Sequence, residues 1–308
     1  MLILAYDLGA TKLAVGIVNS KAKILKSLKF PLDKTGGKKT ILNQLVTVGK
    51  KLIIEFPRVS RIGIASAGPL HVKRGVLISP TNMMVGRKPI GVVPIVSFLK
   101  SALKRPVYLE NDAAASILSE HWVGAAKGYK NAMILTLGTG LGTAVLVDGK
   151  LIRAGRGLHT EAGHLIFNPA DKTAPCGCGN FGCAEAYLSG KNFENRFYKK
   201  HGLELSATEI AILAKKREKK AVFAFQEYAY YLALAMHNYV VVFSPEIILL
   251  TGSFAQVSSL FLYETKRHLK NFLIKRRNFI DQMPEIKNAG LGNNAGLIGG
   301  AYIAFKSY

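Results

Sequence analysis

Cys176, Cys178 and Cys183, in the stretch CGCGNFGCAE, are the only cysteines of a 308-residue chain. The pattern C-x-C-x-x-x-x-C gathers three soft ligands on a glycine-rich turn, and thiolates in that number suit zinc, which needs a fourth donor to close a tetrahedron. His164, in TEAGH, is the nearest histidine upstream. A Cys3His zinc would tie TEAGHLIF to the cysteine turn and hold Glu161 and Glu185 in a fixed relation. Two readings compete with it: a zinc knuckle that binds nucleic acid, and three reduced thiols without metal. The first leaves the flanking glutamates unexplained, and the second leaves the clustering to chance. Glutamates on a surface are usually just solvated. Held beside a metal site, they can accept hydrogen bonds from sugar hydroxyls, and such a site discriminates because unmatched buried acceptors are costly.

A second chemistry lies in the glycine turns. In DLGATK an apolar strand delivers Asp7 into a Gly and Thr turn, where backbone N–H groups and a hydroxyl can meet phosphate oxygens and Asp7 can sit near a metal. An ordinary β-turn has the same look, but LGTGLGT at 137–143 repeats the build. A third turn, TGS at 251–253, is placed to cap an adenosine through Gly252. The pattern G-x-x-x-x-G-K-[ST] is absent, which disfavours a Walker-type ATPase. In LENDAA, Asp112 ends a strand and opens a helix, where it can act as the base of phosphoryl transfer to an alcohol or serve simply as a helix N-cap.

The elements that must position these groups follow from periodicity. Strands are expected at LILAYDL, KLAVGIVNS and KAKILKSLKF, then a helix at TILNQLVTVGKKLIIEF, a strand at RIGIASAG, a helix near VVPIVSFLKSAL, a strand at PVYLEND and a helix at AAASILSEHWVGAA. NAMILTLGTGLGTAVLVDGKLIRAG repeats the opening pattern, with a hairpin at Asp148–Lys150. Long helices across SATEIAIL to VVVF, a strand EIILLTGS and a last helix GLIGGAYIAF complete the chain. The echo predicts two related α/β halves facing one another across a cleft, with a hinge near 110–115. The domains are placed at 1–112, with the helix at about 295–308 packing back on it, and at 113–294, which carries the cysteines.

Composition bounds the partners. No apolar run is long enough to span a bilayer, since VVVFSPEIILL is interrupted by Ser244, Pro245 and Glu246, and MLILAYDLGATK lacks the build of a signal peptide, so no membrane span is expected. A cytoplasmic, reducing location follows, where clustered thiols favour metal over disulfides. The net charge is +23, with runs at KKREKK and KRR. It fits a solvated basic surface that steers anionic substrates, and no reading element for nucleic acid is visible, so no specific nucleic acid partner is expected. Polyphosphate as a phosphate donor remains compatible with that charge.

On these stretches the chain resembles the ROK family of repressors, open reading frames and kinases, and within it the glucokinase-type sugar kinases. DLGATK is similar to D-x-G-G-T-K, ENDAAA to E-N-D-A-N-A, GTGLGTAV to G-T-G-I-G-G-G, TEAGH to G-E-x-G-H, and CGCGNFGCAE to C-x-C-G-x-x-G-C-x-E. The resemblance implies an actin-like ATPase (ribonuclease H-like) fold, a zinc on His164, Cys176, Cys178 and Cys183, and transfer of the ATP γ-phosphoryl to a hexose, glucose first. N-acetylmannosamine, N-acetylglucosamine and fructose are rivals, as is a non-catalytic sugar-sensing regulator. It further implies Asp112 as base, and Asn82, Asn111, Asp112 itself, Glu161, His164 and Glu185 as sugar ligands. Asp7, Gly9, Thr11, Lys12, Gly138, Thr139, Gly140 and Gly252 would serve ATP and Mg²⁺, and the assembly would be a homodimer. Ala10, Thr143 and Ala144 depart from family glycines, and NMMVGRK replaces a segment that carries tryptophan. Met1 nearly opens the first strand, so no DNA-binding domain is expected ahead of it.

Overall fold

The computed structural model describes residues 1–80, 83–85, 88–153, 155, 159–276 and 281–306. The chain forms two compact units, one of Met1–Lys127, Leu151–His159 and Gly290–Tyr308, the other of Gly128–Lys150 and Thr160–Ala289.

In the first unit, β1 (Leu2–Leu8), β2 (Lys12–Asn19) and β3 (Ile24–Pro31) form an antiparallel meander, followed by α1 (Lys38–Glu55) and β4 (Val59–Ser66). Short strands follow: β5 (Leu70–His71), β6 (Val76–Ile78), β7 (Met84–Val85), β8 (Lys88–Pro89) and β9 (Val92–Val93). Then come α2 (Ile95–Leu103), β10 (Val107–Asn111) and α3 (Asp112–Val123), and α9 (Ala295–Lys306) returns to this unit. The main sheet has the order β10-β4-β1-β2-β3, with β4 parallel to both β1 and β10. β1 reads as a continuous apolar run because both of its faces are covered, and alternate side chains must then be apolar on each side. Leu4, Tyr6 and Leu8 join Leu45 and Leu52 of α1 and Leu99 of α2. Ile3 and Ala5 pack instead on Leu297, Ala301 and Ala304 of α9.

The boundary between units falls at 127/128, not at 112/113, so the hinge expected at 110–115 lies inside the first unit. The reason is the packing of α3 on α9, which is so close that a Cβ on Gly299 would stand 2.2 Å from the Ala115 carbonyl oxygen. Where the chain leaves and re-enters this unit, the buried Glu120 accepts hydrogen bonds from Ala125 N (2.7 Å) and Leu291 N (2.8 Å). Glu120→Ala strands both amides and opens a cavity, so unfolding in urea should show a loss of about 3 kcal/mol.

The second unit repeats the plan. β11 (Ala132–Leu137) and β12 (Leu141–Val147) form a hairpin, with β13 (Lys150–Leu151) at the edge where the chain crosses between units. The helices α4 (Ala184–Leu188), α5 (Gly190–His201), α6 (Ala207–Lys215) and α7 (Lys219–Phe243) precede β14 (Ile247–Thr251), α8 (Leu262–Arg276) and β15 (Glu285–Asn288). The order β13-β12-β11-β14-β15, with β14 parallel to β11 and β15, matches that of the first sheet strand for strand. The helical stretch from SATEIAIL onward is broken at Arg217, which has φ +63°, and each part has its own cap. Ser206 and Glu209 form a reciprocal capping box for α6, and Glu218 accepts Ala221 N for α7. Among the described residues no helix is long and apolar enough to cross a membrane.

Candidate active site and metal centre

One group among the described residues could hold a metal ion. The ligand atoms of His164, Cys176, Cys178 and Cys183 all lie within 4.8 Å of one another. Cys178 Sγ is 3.7 Å from Cys183 Sγ, and Cys176 Sγ is 3.4 Å from His164 Nδ1. A zinc–thiolate tetrahedron has edges of about 3.8 Å, so the donor set fits the ion with little movement. Backbone bonds from Cys176 N to Asn180 O (2.9 Å) and Gly182 N to Ala174 O (2.8 Å) fold the turn. Gly182 has φ +68°, and a Cβ there would lie 1.8 Å from Asn168 O, so both conformation and space demand glycine. Burial holds the Cys176 and Cys183 thiols above the ordinary value, so metal binding must displace protons.

His164 and Glu161 share a 3-10 turn over Ala162–His164. With Nδ1 toward the sulfurs, His164 Nε2 faces Glu161 Oε2 at 3.9 Å, and Glu161 is an exposed residue. The turn is fastened by side chains that local pattern did not mark. Thr143 Oγ1 accepts Ala162 N (3.1 Å) and donates to Thr160 O (3.5 Å), and Tyr239 donates its hydroxyl to Ala162 O (3.0 Å). The threonine that departs from a family glycine therefore has a positioning task. Glu185, in the first turn of α4, accepts Leu141 N through Oε2 (2.9 Å), and its Oε1 lies 3.5 Å from Cys176 Sγ.

In the first unit, the N-cap of α3 is Asn111, not Asp112. Asn111 Oδ1 accepts Ala113 N (2.9 Å) and Ala114 N (3.2 Å), and its amide donates to Asp112 Oδ1 (3.0 Å). This occupies most of what Asn111 could offer a sugar. Asp112, relieved of the cap, also accepts Ala113 N (2.8 Å). Burial raises its proton affinity above the usual carboxylate range, against the opposing pull of the Ala113 N–H, the nearby His159 and the Asn111 amide. Arg153, which no local pattern marks, pairs with the buried Glu110 at 2.5 Å just before these residues. Asn82 lies outside the described residues.

Asp7, next to the last residue of β1, faces the first turn of α9, where a Cβ on Gly296 would stand 2.3 Å from its Cγ. Burial, then the charge of Asp112, push its pKa to about 6, with Lys29 opposing. The unfolded carboxyl titrates near 3.8, so its charge costs the folded state nothing below that pH, and stability is lost as pH rises through 6. Asp7→Asn should therefore raise unfolding stability at pH 7 by about 1–3 kcal/mol and leave it unchanged near pH 3.5.

The first glycine turn closes with Gly9 N to Lys12 O (3.0 Å), and Thr11 and Lys12 are exposed. In the second unit, Gly138 N bonds Gly140 O (3.1 Å), Gly190 N bonds Gly138 O (2.7 Å), and Thr139 is exposed at the tip. Gly252, with φ +90°, packs on the Leu137 backbone, which brings the third turn beside the second.

Two units that share one strand order, each with a glycine turn between its first two strands, define an actin-like ATPase fold. The ROK hexokinase of Thermus thermophilus has a similar structure, with 31% identity, coverage of 100% of this chain and 99% of that one, and a TM-score of 0.85. The chain belongs to the ROK family, whose family model matches residues 3–307. A ROK family glucokinase from Streptomyces griseus, solved with glucose and AMPPNP, is 26% identical over 99% of this chain and 100% of its own, with a TM-score of 0.81. The N-acetyl-D-glucosamine kinase of Haemophilus influenzae is 32% identical over 96% of each chain.

Proposed function

We propose that the protein is an ATP-dependent hexose kinase that phosphorylates the 6-hydroxyl, with glucose as the first substrate. Asp112 carries this reading. It is a carboxylate freed from capping by Asn111, fixed by Asn111 and Ala113, and raised in basicity by burial. Asp112 takes the proton of the sugar hydroxyl as that oxygen bonds to the γ-phosphorus and the bond to the bridging oxygen of ADP breaks. Glu161 and His164 Nε2 bind sugar hydroxyls, and Glu185 offers the lone pairs that Leu141 leaves. Asp7 and the two glycine turns serve the nucleotide. Mg²⁺, when bound, neutralises phosphate charge. His164 Nδ1 and the three thiolates would hold zinc, whose part is to fix the Glu161 turn and α4.

The Streptomyces griseus likeness supports glucose, and the Haemophilus influenzae relative supports N-acetylglucosamine as a second reading. ADP release with a panel of glucose, N-acetylglucosamine, N-acetylmannosamine and fructose separates them. The highest kcat/KM is expected for glucose, and a protein that binds sugar without any ADP release would be a sensor. Replacing ATP by polyphosphate in the same assay tests the donor.

A further inference from the structure

We propose that Glu185 is a positioning residue that couples the metal centre to the second glycine turn, so that nucleotide affinity depends on metal content. This rests on the reading of Gly138–Gly140 as a phosphate-binding turn. Cys183, one of the four metal ligands, directly precedes α4, and Glu185 is two residues further on. Its Oε2 takes the amide of Leu141, the residue that follows the turn, while the Cys176 thiol donates to Oε1 only until metal binding removes its proton, so the tie to the metal runs through Cys183 and the start of α4. The other end of the turn hangs from the same stretch of chain, because Gly138 O accepts the amide of Gly190 at the start of α5. Both ends of the turn are thus tied to residues 185–190, and the metal ligand Cys183 stands two residues before that segment.

Gly140 is shaped to this contact. A Cβ there would stand 2.6 Å from Glu185 Oε2, so the turn leaves room for the carboxylate to reach Leu141. If Glu185 served only as a sugar ligand, neither the Leu141 bond nor the space at Gly140 would be needed. A backbone amide bound to a charged acceptor is held more firmly than one bound to a neutral group, and its loss spreads the turn over conformations that cannot bind.

The test is MgADP binding by calorimetry without sugar, with hydrogen exchange of the Leu141 amide as a second readout. Glu185→Ala should weaken MgADP about tenfold and speed Leu141 exchange, whereas Glu185→Gln, whose amide oxygen still accepts Leu141 N, should stay within about threefold of the parent. Removing the metal from the parent should weaken MgADP in the same way, and removing it from Glu185→Ala should add little, since coupled perturbations are not additive. Equal MgADP affinity and equal Leu141 exchange in the parent and Glu185→Ala would overturn the assignment. So would an equal loss on metal removal in both proteins, which does not depend on how well the variant packs. If the parent itself binds no MgADP, the phosphate role of the turn falls, and Leu141 exchange still decides whether Glu185 links turn and metal.

Discussion

Asp112→Asn is expected to lower kcat about a thousandfold while sugar affinity stays within a few-fold of the parent. General base catalysis contributes on the order of 10²–10⁴ in rate, and asparagine cannot take a proton. The substitution is nearly isosteric. The asparagine oxygen still accepts the Asn111 amide and Ala113 N, so the start of α3 and the Asn111 cap survive. A fall in kcat without a matching rise in KM would mark an interaction made only in the transition state. The pH profile gives an independent readout. A base must be ionised to work, and burial raises the Asp112 carboxyl, so the acid limb of kcat/KM should lie above the ordinary aspartate range of about 4. Retained turnover in Asp112→Asn would remove this residue from the role of base.

Cys178→Ser should produce the largest change in stability. Structural zinc binding is folding free energy, and one lost thiolate is expected to forfeit on the order of 5 kcal/mol. At about 2 °C per kcal/mol for a chain of this length, Tm should fall by about 10 °C. The damage should start locally, because the four candidate ligands lie in the cysteine turn and the Glu161–His164 turn, and the last of them, Cys183, leads directly into α4. The parent should carry one zinc per chain by elemental analysis and the variant well under one. Full metal content in Cys178→Ser would contradict the ligand set.

What could be read from the sequence, and what could not, divides by distance along the chain. β1 and β11 are legible because strands covered on both faces must be apolar throughout. The cysteine cluster is legible because soft ligands rarely gather without a metal to hold. The contacts that fasten the site are not, since Thr143, Tyr239 and Glu120 meet partners 19, 77 and 171 residues away. No local period encodes such pairings. The cap of α3 went to Asn111 because backbone entering the helix one residue earlier brings that side chain, not Asp112, onto the first free amides. The stretch from residue 184 to 201 shows why short helices escape periodicity: α4 is only five residues long and is kept by the metal turn before it and the Ser189 cap after it.

Phosphorus NMR of a mixture of ATP, Mg²⁺, glucose and the protein tests the phosphoryl transfer most directly. ADP and a phosphomonoester on the primary hydroxyl of the sugar should appear in equal amounts, and both should form about a thousandfold more slowly with Asp112→Asn. ATP that stays intact with every hexose offered, or that yields only inorganic phosphate, would contradict a kinase built on Asp112.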